Sequence, residues 1–531
     1  MQISEDLKIL IRKCFPFDPE DPRSETQLEI VEKIMGAFLD GTTDVILQGP
    51  TGSGKSGVII TVYRVLAALN MIRSGFITTP QKTLQNQYAC DSALNDYFTV
   101  VKGRSAYRCA KSGQKHNHIC SSLSKKPRAK LRAACKDAGI CEYYTAIEAA
   151  QNHPLVLHNF ASLIYQSLPF GHYFEPRDFL AVDECHRAED ALLGIFSFSV
   201  TTKICTKYGA TMLRWPERNT PPQIETIKRW LNDLVAHLQW FARTNEDLLD
   251  EKEEKKIDRL IQTAHWYLDD PDKWVCNCEN VDKYEFKPID VSRYGHYIYG
   301  KGNRFRLWAS ATILGEKNFA RSIGLADYFY CEMPSTFLKQ NQPIYVLENT
   351  GIKSLNKAHI EESMPLVVKA IDEIMESYPN EKGIIHTHTY KILEYILKHS
   401  RFSSRLMAHG DKDREEVLGD FLRSEDPVVL VSPSSTEGID LKDDQGRFGI
   451  IVKLPWAYLG DPQIRALKDT RPGWYVWKCS LDVVQGSGRI NRHQKDKGDF
   501  YVIDPDFRRW RSQARPILPQ HFLERIVFIK D

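Results

Sequence analysis

The chain has 531 residues, of which 42% are hydrophobic and 26% are charged, and its formal net charge is +2. These values indicate a globular protein of about three to four domains, in which any nucleic-acid surface must be local. No apolar run reaches the roughly 20 residues that cross a bilayer, and acidic residues near the amino terminus argue against export. We therefore expect an intracellular, cytoplasmic protein (in the host cytoplasm if its source is viral) with no membrane partner.

The most specific motif lies at residues 49–56, which read GPTGSGKS after the apolar run 45–47. Glycines in such a loop let backbone N–H groups close around phosphate oxygens, while Lys55 neutralises the β/γ charge and Ser56 can ligate Mg²⁺. The pattern predicts a nucleoside triphosphate site between a strand and a helix. The residues assigned to it are Gly49, Pro50, Thr51, Gly52, Ser53, Gly54, Lys55 and Ser56.

The segments on either side of this loop carry weaker signals. Upstream, a proline-rich lead predicts a helix beginning near Ser24. Arg23 and Gln27 stand at its start, where they could contact an adenine base or simply form an exposed helix start. Downstream, 76–80 predicts a buried strand followed by a polar helix start, and this strand end would offer hydroxyl and amide groups to a nucleic-acid backbone.

A basic segment with four cysteines follows at 102–141, where eleven Lys or Arg residues stand against one acidic residue. The cysteines, separated by ten, fourteen and five residues, are Cys109, Cys120, Cys135 and Cys141. Four thiolates suffice for an iron–sulfur cluster or for zinc. The lack of a C-x₂-C pair disfavours zinc, although His116 and His118 are further candidate ligands; unligated loop cysteines are the third alternative. The positive charge indicates either phosphate contact or a solvated face.

Two adjacent carboxylates follow the predicted strand 179–182, in the sequence Asp183-Glu184-Cys185-His186. Residues 155–165 predict another piece of the same parallel sheet. Carboxylates at a strand end suit a Mg²⁺ site beside a phosphate loop. Asp183 would hold the metal, usually through water, and Glu184 would orient or deprotonate the attacking water.

Residues 195–300 predict an inserted helical domain, because apolar side chains recur at three- and four-residue intervals. The pair Cys276 and Cys278 within it favours structural thiols over a metal site. A strand at 306–309 then returns to the first sheet.

A second α/β set begins near Ile344 and predicts another parallel sheet. Its strands are expected at 383–386, 428–431, 450–454 and, as the last strand, 500–503, with helices at 390–399 and 412–422 and a basic carboxyl-terminal tail. The segment 485–492 reads QGSGRINR. Arg489 and Arg492, three residues apart, would share a helix face and reach a γ-phosphate from a facing domain; a surface salt-bridge pair is the alternative.

Together these motifs resemble the XPD/DinG family of superfamily 2 helicases, in the family's order along nearly the whole chain. GPTGSGKS resembles motif I, FITTPQKTLQNQY (76–88) motif Ia, DECH motif II, SATI (310–313) motif III, GIIHTHTY (383–390) motif IV, STEGIDL (435–441) motif V and QGSGRINR motif VI. DECH departs from the family, which more often has alanine in place of Cys185. The resemblance implies an α/β fold of two RecA-like parallel-sheet motor domains, with a cysteine-rich metal-cluster insertion and a short helical Arch-like insertion in the first.

The resemblance also implies roles for individual residues. Lys55 and Ser56 would bind the phosphates of ATP and Mg²⁺, and Asp183 and Glu184 would perform the metal and water chemistry. Across the cleft, the γ-phosphate would be sensed by Gln485, Arg489 and Arg492, with Glu437, Gly438 and Asp440 nearby. The four cysteines of the basic segment would bind a [4Fe–4S] cluster, with zinc as the alternative.

On this basis the chain divides into motor domain 1 (1–101, 143–195 and 301–340), an iron–sulfur insertion (102–142), an Arch-like insertion (196–300) and motor domain 2 (341–531). We expect a monomeric DNA-dependent ATPase and DNA helicase that translocates 5′→3′ on single-stranded DNA and acts at duplex/single-strand junctions. Its cluster domain would aid strand separation. The alternatives are a translocase or RNA-directed motor without duplex-DNA unwinding, and a redox-sensing, nucleic-acid-binding ATPase.

Overall fold

The computed structural model describes residues 3–530 except 51, 81, 116–119, 168–172, 215–222, 300–301, 336–337, 357, 411–413, 434–440, 442 and 491–495. The strands in these ranges are β1 Asp44–Gln48, β2 Gly75–Thr79, β3 Thr99–Val100, β4 Leu155–Asn159, β5 Phe179–Asp183, β6 Phe198–Thr201, β7 Trp274–Asn280, β8 Lys283–Pro288, β9 Phe305–Ser310, β10 Phe329–Glu332, β11 Ile344–Glu348, β12 Gly383–His386, β13 Leu406–Ala408, β14 Val429–Ser432, β15 Phe448–Ile451, β16 Asp499–Val502 and β17 Ile526–Lys530.

The α-helices fall between these strands. They span Glu5–Cys14, Pro22–Leu39, Lys55–Ala68, Lys82–Cys90, Lys125–Asp137, Glu142–Asn152, Phe160–Ser167, Ala188–Phe196, Thr202–Tyr208, Ile224–Thr244, Glu251–Asp269, His296–Tyr299, Glu316–Ile323, Ile360–Glu376, Tyr390–His399, Arg414–Arg423, Pro462–Thr470, Trp474–Ser487, Phe507–Ala514 and Gln520–Leu523. None of those described is long and apolar enough to cross a membrane.

Two seven-stranded sheets confirm the predicted α/β class. The first has the order β10-β1-β9-β5-β2-β4-β3 and the second β13-β14-β12-β15-β16-β11-β17. All their recorded strand pairs are parallel. Strands such as β1 and β5 are buried along their whole length because helices cover both faces, which explains their unbroken apolar runs.

The helix Trp474–Ser487 connects the two sheets through apolar packing. Its residues Trp474, Trp477 and Leu481 are buried in the same hydrophobic cluster as Ile313 and Leu192 of the first motor region. The segment that includes QGSGR therefore packs against the first sheet, although it belongs to the region of the second sheet.

Two predictions about secondary structure are wrong at the level of single elements. Of the segment 155–165, only Leu155–Asn159 is a strand, because Asn159 Oδ1 accepts a hydrogen bond from Ser162 N at 2.7 Å and starts a helix there. The strand expected at 500–503 is not the last, since β17 follows and pairs in parallel with β11. The tail before β17 contains a helix, Phe507–Ala514.

The segment 195–300 is helical only in part. It also contains an antiparallel sheet of order β6-β8-β7, and the pair Cys276 and Cys278 lies on β7. Burial alternates residue by residue along β8, with Tyr284 and Phe286 inside. The expectation of a purely helical insertion is therefore wrong, because half-buried antiparallel strands are marked only by this short alternation.

Candidate functional site

The phosphate loop and the DECH motif lie side by side because their strands are close neighbours in the first sheet. β9 pairs in parallel with β1 on one side and with β5 on the other. The carboxyl ends of the three strands therefore meet at one edge, which is where open parallel sheets bind ligands. This edge brings together the loop after β1, the acidic pair at the end of β5 and Ser310 at the end of β9.

The phosphate loop has the backbone shape that its glycines permit. Gly52 and Gly54 have φ angles of 78° and 81°, and the helix Lys55–Ala68 begins directly after them. Lys55 Nζ donates hydrogen bonds to the carbonyl oxygens of Gly49 at 3.0 Å and Pro50 at 3.4 Å. The ammonium group is thus held at the loop by neutral acceptors, which phosphate oxygens can replace.

Gln27 packs against this loop from the helix Pro22–Leu39. A methyl group added at Gly54 would lie 2.5 Å from Gln27 Nε2. Gln27 Oε1 is buried and accepts no hydrogen bond. A buried acceptor beside a phosphate loop suits the amino group of adenine, and the contact expected at Gln27 stays a prediction. The side chain of Arg23 lies outside the described residues.

Asp183 and Glu184 have opposite electrostatic environments although they are adjacent. Burial and the charge of Glu184 raise the pKa of Asp183 to about 6. Burial would also raise the pKa of Glu184, but a hydrogen bond from His186 and the charge of Lys55 hold that pKa well below its usual range. Glu184 also has a φ of 50°, a conformation that is strained outside glycine. Glu184 is therefore the member of the pair that keeps its negative charge to the lower pH.

Tyr88 is a site residue that the sequence analysis missed. It lies on the helix Lys82–Cys90, and its buried hydroxyl donates to Asp183 Oδ2 at 2.9 Å and also interacts with Ser56. Burial raises the pKa of Tyr88 well above its usual value, so the hydroxyl remains a donor. Tyr88 thus connects the two predicted Mg²⁺ ligands, and nothing in its local sequence marks that role.

A relay of hydrogen bonds crosses from the second sheet to the first. Gln485 Nε2 lies 2.7 Å from His186 Nε2, and His186 Nδ1 lies 2.8 Å from Ser310 Oγ. Ser310 Oγ in turn donates to Glu184 Oε2 at 3.2 Å. Burial lowers the pKa of His186, so its neutral ring offers one donor and one acceptor, as this relay requires. Gln485 is therefore coupled to the carboxylate predicted to activate water.

A cavity of about 430 Å³ opens between the two sheets, within the size range of small-ligand sites. The first motor region contributes Gly52, Gly54, Lys55, Ser56, Tyr88, Asp183 and Glu184 to its lining, and the second contributes Gln485, Arg489, His521 and Arg525. Arg489 does not lie on a helix face, because the helix ends at Ser487 between two glycines. The shared helix face predicted for Arg489 and Arg492 is therefore wrong for Arg489.

Beside this cavity, ion pairs join the DECH segment to the helix Trp474–Ser487; we call them the seam. Glu189 is fully buried and accepts hydrogen bonds from Arg471 and, at 3.1 Å, from Trp474 Nε1. The other seam pairs are Lys478 with Asp190 at 2.7 Å and Arg187 with Asp482 at 3.0 Å. The seam holds the helix that carries Gln485 against the segment that carries His186.

The structure brings the four cysteines of the basic segment together around one cavity, while the cluster expected of them stays a prediction. Cys109, Cys120, Cys135 and Cys141 line one cavity of about 100 Å³ whose other walls include Leu131, Ile140 and Tyr144. Across the described ranges, no three His, Cys, Asp or Glu side chains are arranged to chelate a single metal ion. The four thiols thus surround a space rather than converge on a point.

Much of the positive charge around these cysteines is paired with carboxylates of the same chain. The segment that opens the helix Glu251–Asp269 supplies the acids: Glu251 binds Arg104 and Arg132, Glu254 binds Arg128, Glu246 binds Lys125 and Asp247 binds Lys126. The basic run as a whole is therefore not free to bind phosphate, because five of its members already have carboxylate partners. These pairs dock the cysteine insertion onto the helical insertion.

Several predicted residues lie outside the ranges that the structure describes. They are Thr51, His116, His118, Glu437, Gly438, Asp440 and Arg492. The roles expected of them stay predictions.

Comparisons with known proteins agree with this geometry. Family models described as "Helicase C-terminal domain" and "Type III restriction enzyme, res subunit" match residues 371–522 and 22–213. The ATP-dependent DNA helicase YoaA of Haemophilus influenzae is 21% identical over 91% of this chain and 91% of its own length. Two solved structures share the fold. An XPD helicase matches with a TM-score of 0.63 at 14% identity, over 96% of this chain and 99% of its own. S. tokodaii Xpd4 matches with a TM-score of 0.60 at 13% identity, over 95% of this chain and 99% of its own.

The chain thus resembles the XPD/DinG-like superfamily 2 helicases in fold and in the two matched regions. These two matched regions fall on the two sheets. Residues 22–213 contain β1–β5 of the first sheet, and residues 371–522 contain β12–β16 of the second.

Proposed function

We propose that this helicase uses ATP to move 5′→3′ along single-stranded DNA and to separate the duplex at a junction. One observation carries the proposal: a single cavity is lined by Lys55 and the DECH carboxylates from one sheet and by Arg489 and Gln485 from the other. A nucleotide bound there contacts both motor regions, so its hydrolysis changes how they are held together. The polarity and the choice of DNA rest on the family resemblance.

The chemistry at the first sheet follows from the charges of the site. Ser56 and Asp183 fit Mg²⁺, because both face the Tyr88 hydroxyl and offer the oxygen ligands that this ion prefers. When bound, Mg²⁺ would neutralise charge on the β- and γ-phosphates. Glu184 is ionised and would accept the proton of the attacking water.

The second sheet would sense the γ-phosphate. Arg489 lies at the cavity and would bind the transferring phosphoryl group, with Arg492 assigned the same role by resemblance. Gln485 is connected through His186 and Ser310 to Glu184, so a change at the water-activating carboxylate reaches the second motor region through three hydrogen bonds. Alternate closing and opening of the cavity would move the strand across the two sheets.

We further propose that the four cysteines hold a [4Fe–4S] cluster, which fits a cavity lined by four thiols better than a single ion does. When bound, the cluster would cross-link the basic insertion. The exposed basic residues there that have no acidic partner among the described residues, and so are suited to DNA phosphates, are Arg108, Lys111, Lys115, Lys130 and Lys136. Anaerobic purification with a visible spectrum and iron and zinc analysis tests this; a colourless protein with one zinc overturns it.

We also propose the domain division predicted from the sequence, with a monomer as the working unit. One copy of the chain supplies residues from both sides of the proposed nucleotide site, one set from each sheet. Analytical ultracentrifugation with and without single-stranded DNA tests the monomer.

The deciding experiment measures ATP hydrolysis and strand separation together. Wild type and Lys55→Ala are compared on duplexes with a 5′ tail or a 3′ tail, made of DNA or RNA. We expect single-stranded DNA to stimulate the wild-type ATPase, separation only of the 5′-tailed DNA, and neither activity in Lys55→Ala. Separation of RNA alone would establish the RNA-directed motor, and unchanged activity of Lys55→Ala would refute the mechanism.

A further inference from the structure

Arg525 is a buried cation at the nucleotide cavity that none of the helicase motifs contains. It lies between the helix Gln520–Leu523 and β17, and its carbonyl oxygen accepts a hydrogen bond from Ile344 N at 2.8 Å. The parallel pairing of β17 with β11 holds this backbone in place. The side chain is 8% exposed and forms part of the cavity wall with Lys55 and Arg489.

The guanidinium of Arg525 is held by neutral acceptors. Its Nε donates to Gln342 O at 2.7 Å and its Nη2 to Ser487 O at 3.2 Å. No carboxylate among the residues that the structure describes forms an ion pair with it. Burial lowers its pKa to about 10, so it is still positively charged at neutral pH. A buried charge without a counter-ion is costly, and an anionic ligand removes that cost.

Other buried arginines in the chain have different surroundings. Arg471 is paired with Glu189, and Arg306 with Asp44. Arg177 has no carboxylate partner among the described residues, but its Nη1 and Nη2 contact four backbone carbonyl oxygens and its guanidinium packs over Phe76. Arg525 makes two recorded hydrogen bonds, although arginine has five N–H donors, and it alone of these four lines the nucleotide cavity.

Arg525 lies close in the structure to the residues that would sense the γ-phosphate of the nucleotide. Its acceptor Ser487 ends the helix that presents Gln485, and Arg489 follows two residues later. Gln485 is within hydrogen-bond distance of His186, which contacts the relay to Glu184. The guanidinium therefore lies beside the end of the helix that carries Gln485, in the wall of the cavity that Asp183 and Glu184 also line.

We propose that Arg525 is a further phosphate-binding residue of the nucleotide site, which binds the terminal phosphate of a nucleoside triphosphate from the second motor region. The proposal rests on the proposed function only in taking the cavity as the nucleotide site. A planar guanidinium binds phosphate oxygens through two parallel hydrogen bonds, which a lysine cannot reproduce. Arg525 would thus make the closed cavity selective for the triphosphate over the diphosphate.

The test compares the dissociation constants of ADP and of β,γ-imido-ATP, which is not hydrolysed, for the full chain. The variants are Arg525→Gln and Arg525→Lys. Arg405→Lys is the matched control, because Arg405 also donates to backbone carbonyls in the second motor region but lies outside the cavity. Thermal melting establishes that each variant is folded.

We expect Arg525→Gln to weaken binding of the triphosphate analogue at least about tenfold, the size of one lost charged hydrogen bond, and ADP binding less than about twofold. Arg525→Lys should show the same selective loss to a smaller degree, and it carries the test if Arg525→Gln does not fold. Arg405→Lys should change neither constant. Equal losses for both nucleotides, or none, would overturn the proposal and leave Arg525 as a group that only positions the carbonyl of Ser487.

This result is distinguishable from failure of the proposed function. If the wild type hydrolyses no ATP on DNA and separates no duplex, the helicase mechanism fails, while the nucleotide preference of the wild type and its loss in Arg525→Gln can still be measured. If the wild type is an active helicase and Arg525→Gln keeps the wild-type preference, only the present inference fails.

Discussion

The proposed nucleotide cavity and the seam lie side by side between the same two sheets, yet they use positive charge in opposite ways. In the seam every cation is matched within the protein, as Arg471 is by Glu189. At the cavity, Lys55 and Arg525 donate in the described structure to carbonyl oxygens. The positive charge of the seam therefore holds the two sheets together, whereas the positive charge at the cavity is available to a polyphosphate.

This comparison also corrects the interpretation of the basic cysteine segment. Its charge density resembles that of a DNA-binding surface, but Arg104 and Arg132 share the buried Glu251 and behave like the seam. Only the outward members of the run remain available to DNA. Counting charges along a sequence does not distinguish these two cases, because the acids lie more than a hundred residues away.

The largest expected effect concerns Glu184. In Glu184→Gln the side chain keeps its size but can no longer accept the proton of the attacking water, so ATP hydrolysis should fall by about 10²–10⁴-fold. Nucleotide affinity should stay near the wild-type value, because the cations of the cavity are unchanged. Phosphate release and titration with a fluorescent ATP analogue measure the two quantities; Lys55→Ala, which should lose both, is the control. Hydrolysis within tenfold of wild type would remove Glu184 from the role of base.

A second prediction breaks the seam. Arg471→Ala leaves Glu189 buried without its main counter-ion, which should lower the free energy of unfolding by about 3–5 kcal/mol. The double variant Glu189→Met with Arg471→Met should recover much of this loss, because apolar side chains of similar volume replace the pair. Thermal and urea unfolding measure both.

The control for the seam is Arg423→Ala, which removes an exposed pair with Asp420 on one helix. It should leave the melting temperature unchanged. A seam variant that behaves like this control would show that the charges of the seam are solvated, and the contrast with the cavity would no longer hold.

A third, smaller effect is expected from Tyr88→Phe. This change removes one hydroxyl that contacts the predicted Mg²⁺ ligands, and the loss of such a supporting partner typically costs 10–100-fold in metal affinity or activity. The Mg²⁺ concentration for half-maximal ATPase should therefore rise by about tenfold. Tyr63→Phe, another buried tyrosine of the same motor region, should leave the Mg²⁺ dependence unchanged. If both variants shift it equally, the effect of Tyr88 is a general one on packing.

The parts of this site that the sequence predicted are those whose chemistry is contiguous in the chain. GPTGSGKS and DECH carry their glycines, cation and carboxylates within a few residues, and buried parallel strands give unbroken apolar runs. Tyr88 meets Asp183 across 95 positions. The partners of Arg525 are set by β17, a half-exposed edge strand. Residues such as these reach the site only because of the order of the strands in the sheets, and no local sequence pattern reveals that order.

The same limit explains the error at Arg489. Three-residue spacing predicted a shared helix face, but the glycines at 486 and 488 end the helix before that arginine. The residue still reaches the cavity, since Gln485 is fixed beside His186 and the chain continues along the cavity wall. The site was thus predictable by motif content, whereas its geometry depends on where the helix stops.

The smallest expected effect concerns Glu251, whose ion pairs dock the cysteine insertion onto the helical insertion. Burial alone would raise the pKa of Glu251, but Arg104, Lys255 and Arg132 lower it from 4.5 to about 2. A depressed carboxyl pKa contributes stability above its ordinary value and loses it as pH falls, here between about 4.5 and 2. Glu251→Gln should therefore have a lower melting temperature than the wild type at pH 7, and this gap in melting temperature should shrink as the pH approaches 3.

Lys126→Ala, at an exposed pair on the same contact, is the control and should show no such gap at either pH. A gap for Glu251→Gln that is independent of pH would mean that Glu251 contributes packing rather than charge, and the insertion would then be docked by shape and not by the ion pairs that distinguish it from the cavity.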